Sequence, residues 1–163
     1  MKNTIINICL ISIIILLAIN NLYDLKEENK KHILINNYIN DEIAHYDVFG
    51  YIQIDKINLK EILYKIDSPN NSLSKGLLLE SINPLIILGH SGNGHLALFN
   101  DLDKLKINDI IIININRNIT RYKIIQINTK QKSDKILTFG DLILVTCSKK
   151  DISKKIELVA EKI

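Results

Sequence analysis

After position 50, apolar side chains recur at about every second place along several short runs; before position 24 they fall at nearly every place. The first pattern is that of half-buried strands, and the second that of a segment with no polar face. Tyr51-Ile52-Gln53-Ile54-Asp55 alternates, and residues 57–64 do so more loosely. Further strand-like runs lie at 77–80, 85–89, 109–116, 120–128, 142–147 and 156–163. Asn116-Arg117-Asn118 reads as a hairpin turn, and Asp67-Ser68-Pro69-Asn70 as turn chemistry leading into one helical turn that Gly76 ends. Between the fourth and fifth runs, residues 96–105 carry the spacing of a short amphipathic helix. Eight short strands with few helices predict a mainly β fold, a closed eight-stranded barrel.

The N-terminal run, residues 5–19, is broken only by Asn7 and Ser12. Extended to Leu22 and Tyr23, it reaches the roughly 17–20 residues that a tilted spanning helix needs. It exits through Ala18-Ile19-Asn20-Asn21, a poor match to the small-residue site of a cleaved signal peptide. An uncleaved signal-anchor over residues 1–23 is therefore expected. Lys2 favours a cytoplasmic N-terminus, with the rest of the chain on the extracellular face of the cell membrane. Residues 24–48, charged but with Leu25, Ile33, Leu34, Tyr38, Ile39 and Ile43 at helical spacing, read as a stalk and helix. The barrel would occupy residues 49–163.

Composition changes this picture little. Hydrophobic residues make up 47%, enough for a real core, and the net charge of +3 comes from interspersed acids and bases. No Lys/Arg stripe with interleaved aromatics is present, which argues against nucleic acid as a partner. Of the two cysteines, Cys9 lies within the apolar run with no lipobox before it, and cannot pair with Cys147 if the two stand in lipid and outside the cell. Cys147 is then a lone thiol in an extracytoplasmic domain.

Two strand ends carry the candidate chemistry. Leu142-Ile143-Leu144-Val145 delivers Thr146 and Cys147 into a polar loop, and Leu85-Ile86-Ile87-Leu88 delivers Gly89 and His90 into the loop Ser91-Gly92-Asn93-Gly94. Scaffolds tend to mount chemistry where a buried strand gives way to exposed loop. A Cys and a His so placed suggest a thiol nucleophile with an acid/base partner. His95, five residues on, is the rival for the second role; His32 and His45 belong to the stalk. A zinc site is disfavoured, since no CxxC or HxxxH spacing occurs and no fourth ligand is evident.

From Phe49 onward the motifs follow an order that resembles the sortases, membrane-anchored cysteine transpeptidases of Gram-positive bacteria. Gly50-Tyr51-Ile52-Gln53-Ile54-Asp55-Lys56-Ile57 is similar to the family's GxIxIPKI opening strand, with Asp55 in place of proline. Leu73-Ser74-Lys75-Gly76 is similar to its LxxG turn. Ile87-Leu88-Gly89-His90, then Phe99-Asn100-Asp101-Leu102 and Leu105-Lys106-Ile107-Asn108-Asp109, resembles its GH … FxxLxxLxxGD block. Leu142-Ile143-Leu144-Val145-Thr146-Cys147 resembles LTLxTC.

The resemblance implies a sortase-type barrel that cleaves an LPxTG-like sorting signal near the C-terminus of secreted proteins. Cys147 would attack the Thr carbonyl to give a thioacyl-enzyme, His90 would be the acid/base, and Thr146 would contribute to substrate binding. The acceptor would be the amine of a peptidoglycan precursor or a pilin lysine. In the family an Arg on the final strand binds substrate and developing oxyanion charge; here the alignment puts Lys155 at that place, beside Lys154. Lysine supplies charge but no planar fork. Residues 128–141, which in sortases read the sorting motif, are short and polar, unlike the class with a helix inserted there. No cofactor and no metal are expected, with calcium activation left open. The chain ends just after its last strand, so no C-terminal membrane helix is expected, and no N-terminal lid motif is evident. The reading from a different class is a catalytically weak or inactive barrel that binds sorting peptides or partner proteins, motivated by the missing Arg.

Overall fold

The computed structural model describes residues 2–40, 48–64 and 76–163. Two compact units form, residues 1–36 and 37–163. One helix, α1 (Lys2–Asn40), carries the N-terminal apolar run and continues through the charged residues after it. From Ile8 to Leu25 its large apolar side chains stand exposed on every side. Within Ile8–Tyr38 the helix is long and apolar enough to cross a membrane. Residues 41–47 and 65–75, which include His45 and most of the LxxG turn, lie outside the described residues.

Eight strands close into a barrel in the order β1-β2-β3-β4-β7-β8-β6-β5. They are β1 (Val48–Ile54), β2 (Leu59–Tyr64), β3 (Leu77–Ile82), β4 (Leu85–Leu88), β5 (Ile110–Ile115), β6 (Asn118–Gln131), β7 (Leu142–Cys147) and β8 (Lys154–Lys162). All neighbours are antiparallel except β2–β3 and β4–β7. Asn116 and Arg117, both at positive φ, make the two-residue turn between β5 and β6. That backbone twist suits a tight hairpin.

Alternation sorts the side chains. Ile52, Ile54, Leu77, Leu79, Leu85, Ile87, Ile111, Ile113, Leu142, Leu144, Leu158 and Ala160 fill the interior. A second, smaller cluster of Ile86, Ile143, Val145 and Val159 lies on the outer side of β4, β7 and β8. Those strands are therefore covered on both faces, which is why β4 and β7 read as unbroken apolar runs.

The expected helix over 96–105 is instead a series of turns with one 3-10 turn, Leu102–Lys104. Its buried side chains, Phe99, Leu102 and Leu105, recur every third residue, a repeat that suits three residues per turn better than 3.6. Beyond it, Asp109 accepts hydrogen bonds from Lys56 Nζ (2.7 and 2.9 Å) and the Lys106 N–H (2.6 Å), fixing the entry to β5.

Candidate active site

The parallel pairing of β4 with β7 runs from Leu85 opposite Leu142 to Leu88 opposite Val145. Carried two residues past the strand, the same register brings His90 beside Cys147. Three hydrogen bonds maintain it there. The Gly89 N–H donates to the Val145 carbonyl (3.1 Å), the Thr146 hydroxyl donates to the Gly89 carbonyl (2.8 Å), and the Ser91 hydroxyl donates to the Cys147 carbonyl. Gly89 has no room for a side chain: a Cβ would stand 2.5 Å from Phe99 Cδ2 and 2.6 Å from Leu77 Cδ2. Phe99 in turn donates its N–H to the His90 carbonyl (2.9 Å). Asn100 clasps Gly92, accepting from its N–H (2.7 Å) and donating to its carbonyl (2.9 Å). His90 is exposed and Cys147 half-buried, so both residues reach the surface of a tightly tied junction.

On the other side of β7, Cys147 lies directly across from Lys155 of β8. Strand alternation puts Cys147 on the outer face with Ile143 and Val145. Lys155 is nearly buried. Its ammonium donates to the Asp134 carbonyl and stands 3.0 Å from Glu157 Oε1. Glu157 is fully buried, and its other oxygen lies 3.4 Å from Lys130 Nζ. Both are ion-pair contacts without the alignment of a hydrogen bond.

The loop after Cys147 closes on itself. Ser148 donates its N–H to the Lys154 carbonyl, and Lys154 its N–H to the Asp151 carbonyl, both at 2.9 Å. Asp151 accepts from the Ser153 hydroxyl (2.6 Å) and N–H (3.0 Å) and pairs with Lys154 Nζ (3.1 Å). The Ser153 hydroxyl and N–H, then Lys154, pull the Asp151 carboxyl down to about 2. Opposite this loop, residues 132–141 cross the outer face of the barrel, with Ile136 and Leu137 packed on the outer apolar cluster. A Cβ at Gly140 (φ 86°) would meet Val159 Cγ1 at 2.6 Å, so only glycine lets the segment turn back into β7.

The family model of the sortase domain matches residues 52–162. The chain belongs to the sortase family. Sortase C of Streptococcus pneumoniae is similar to it at 27% identity, with 78% of this chain and 74% of that one covered and a TM-score of 0.63. Sortase C1 of Streptococcus agalactiae is similar at 28% identity over 74% and 70% of the two chains, also with a TM-score of 0.63. A lid mutant of sortase A from Corynebacterium diphtheriae shares the fold at 24% identity, covering 71% and 70%, with a TM-score of 0.62. Among curated proteins no sequence matches. The closed eight-stranded barrel is the sortase fold, and α1 is a candidate membrane anchor of the kind sortases carry.

Within this sortase barrel, Thr146 and Cys147 on β7 adjoin Lys155 on β8 and the residues just past β4, His90 among them, whereas His95 stands exposed in the following turn. Lys155, rather than Lys154, faces Cys147; Lys154 turns to Asp151. Thr146 is buried and its hydroxyl is used on Gly89. Three participants were not foreseen. Glu157 could have been noticed as a lone charge inside the apolar run 156–160. Ser91 and Lys130 carry no comparable signal, because their contacts depend on sheet register.

Proposed function

We propose that the chain is a membrane-tethered cysteine transpeptidase that joins secreted proteins bearing an LPxTG-like sorting signal to an amine. The Cys147 thiolate attacks the Thr carbonyl of the signal, forming the C–S bond. The C–N bond to the following residue breaks, and His90 as acid gives the departing amine its proton. An amine from a peptidoglycan precursor or a pilin lysine then attacks the thioester. His90 accepts the proton from that amine, and Cys147 leaves as thiolate. Lys155 contributes positive charge across from Cys147. Thr146 supports substrate binding by fixing the Gly89–His90 peptide at the edge of the site. α1 holds the barrel at the extracellular face of the cell membrane, with Lys2 on the cytoplasmic side.

The observation that supports this reading most is the β4–β7 register, which carries His90 and Cys147 to the same end of the barrel. The test uses the full chain in detergent micelles, an LPxTG-type peptide and an amine acceptor, with the transfer product followed by mass spectrometry. Product from the native chain and none from Cys147→Ala is the expected result; no product with any acceptor would overturn the reading.

A second reading, a barrel that binds sorting peptides without turnover, draws on the occupied ammonium of Lys155. Loss of a positioned oxyanion donor can cost about 10²–10³ in rate. Peptide affinity that is equal in the native chain and in Cys147→Ala, with no product from either, would favour this second reading.

A further inference from the structure

Across three neighbouring strands, Cys147, Lys155 and Lys130 form one cross-strand row, and Val145, Glu157 and Asn128 form the next row on the same face. Two lysines directly opposite one another repel, and repel more strongly away from water. Lys155 is 6% exposed. The only carboxylate paired with either ammonium among the described residues is that of Glu157, at 3.0 Å from Lys155 and 3.4 Å from Lys130. Glu157 itself is 0% exposed and stands in an otherwise apolar strand segment. A fully buried carboxylate is costly to keep unless it does something that an apolar residue would not.

Lys155 reaches one further group, the Asp134 carbonyl, in the segment between β6 and β7. That segment has few other anchors at its start. Lys132 donates its N–H to the Ser153 carbonyl (2.9 Å), and Asp134 closes a local turn with Gln131. The Lys155 ammonium is thus the side-chain strut at the start of this segment; its far end is tied to β8 separately, by the Asp141 N–H on the Ala160 carbonyl (3.0 Å) and the Lys162 N–H on the Asp141 carboxylate (2.8 Å).

We propose that Glu157 is a positioning residue. By holding the Lys155 ammonium it latches the start of the 132–141 segment, at Asp134, to β8, and so sets the opening through which a peptide reaches Cys147. This deepens the transpeptidase reading and rests on it for the peptide, but the latch itself does not depend on turnover. Without the carboxylate, Lys155 is a buried cation facing Lys130; it moves to solvent, and Asp134 loses its donor.

The test is limited trypsin digestion of the full chain in detergent micelles, following cleavage after Lys132 and Lys135 by mass spectrometry. Cleavage that follows local opening reports the open population, so Glu157→Gln is expected to accelerate it about tenfold. The KM for an LPxTG-type peptide should rise with it. Because Glu157 acts through Lys155, adding Glu157→Gln to a Lys155→Met chain should change cleavage and KM by less than about twofold. Should Glu157→Gln fail to fold, the apolar pair Lys155→Met with Glu157→Met carries the test, since apolar replacement of a buried ion pair is often tolerated. Fast loop cleavage in that folded double variant supports the latch. Native-like cleavage in a folded Glu157→Gln or in the double variant would overturn it, as would additive effects in the cycle. Faster cleavage with an unchanged KM would overturn its role in peptide access. A native chain that forms no product defeats the transpeptidase reading while the digestion result stands independently.

Discussion

Substituting Gly89 by alanine tests the junction beneath the proposed pair. The added Cβ would stand 2.5 Å from Phe99 Cδ2 and 2.6 Å from Leu77 Cδ2, where ordinary contact begins at 3.4 Å. Phe99 and Leu77 are 1% and 0% exposed, so neither side chain can swing into solvent. One of them, or the Gly89 backbone, must give way by about 1 Å, an overpacking that costs about 1–3 kcal/mol. At about 4 °C per kcal/mol for a domain of this size, the Tm should fall by roughly 4–12 °C. The effect should reach the chemistry too, because the Phe99 N–H is bonded to the His90 carbonyl and the Gly89 carbonyl to Thr146. Thermal unfolding of the full chain in detergent micelles, followed by circular dichroism, reads the first effect; the acylation rate reads the second. Gly89→Ala combined with Phe99→Leu should recover part of the loss, since the smaller ring-free side chain vacates the space. A Gly89→Ala chain that melts within about 2 °C of the native one would refute the packing argument.

Two further outcomes follow from the same geometry. Thr146→Val keeps the shape but removes the donor to the buried Gly89 carbonyl; it should cost about 1–3 kcal/mol in urea unfolding. It should also slow acylation about tenfold or more by shifting His90 against Cys147, and native-like turnover would contradict that link. Asp151, held well below the ordinary carboxylate range, contributes its stabilisation of the 148–154 loop above that range and loses it as pH falls toward about 2. Its carboxyl resonance in an NMR titration should therefore move near pH 2, and Ser153→Ala should bring the midpoint up.

The strand ends that present His90 and Cys147 were legible because each closes an apolar run and opens a polar loop. The tight hairpin at Asn116-Arg117 was legible for a similar reason, since Asn tolerates positive φ. The full length of β6 was not. Strand pairing with β8 carries it from Asn118 to Gln131, although Asn128, Thr129, Lys130 and Gln131 are polar and only some are shielded. Nor could the sequence distinguish a helix from turns over 96–105, because an apolar residue every third place fits the rim of a barrel as well as a helix stripe. The Glu157 cluster lay furthest from reach: the lone charge inside the apolar run 156–160 is visible, but Lys130 and Lys155 meet it only through the β6–β8 register.

Thioacyl chemistry at Cys147 is tested most directly by intact-mass measurement of the full chain after brief exposure to an LPxTG-type peptide without acceptor. The predicted result is a mass increase equal to the acyl half ending in Thr, removed by hydroxylamine, reduced in His90→Ala and absent in Cys147→Ala. A native chain that never gains this mass, or one that gains it equally in Cys147→Ala, would contradict the account.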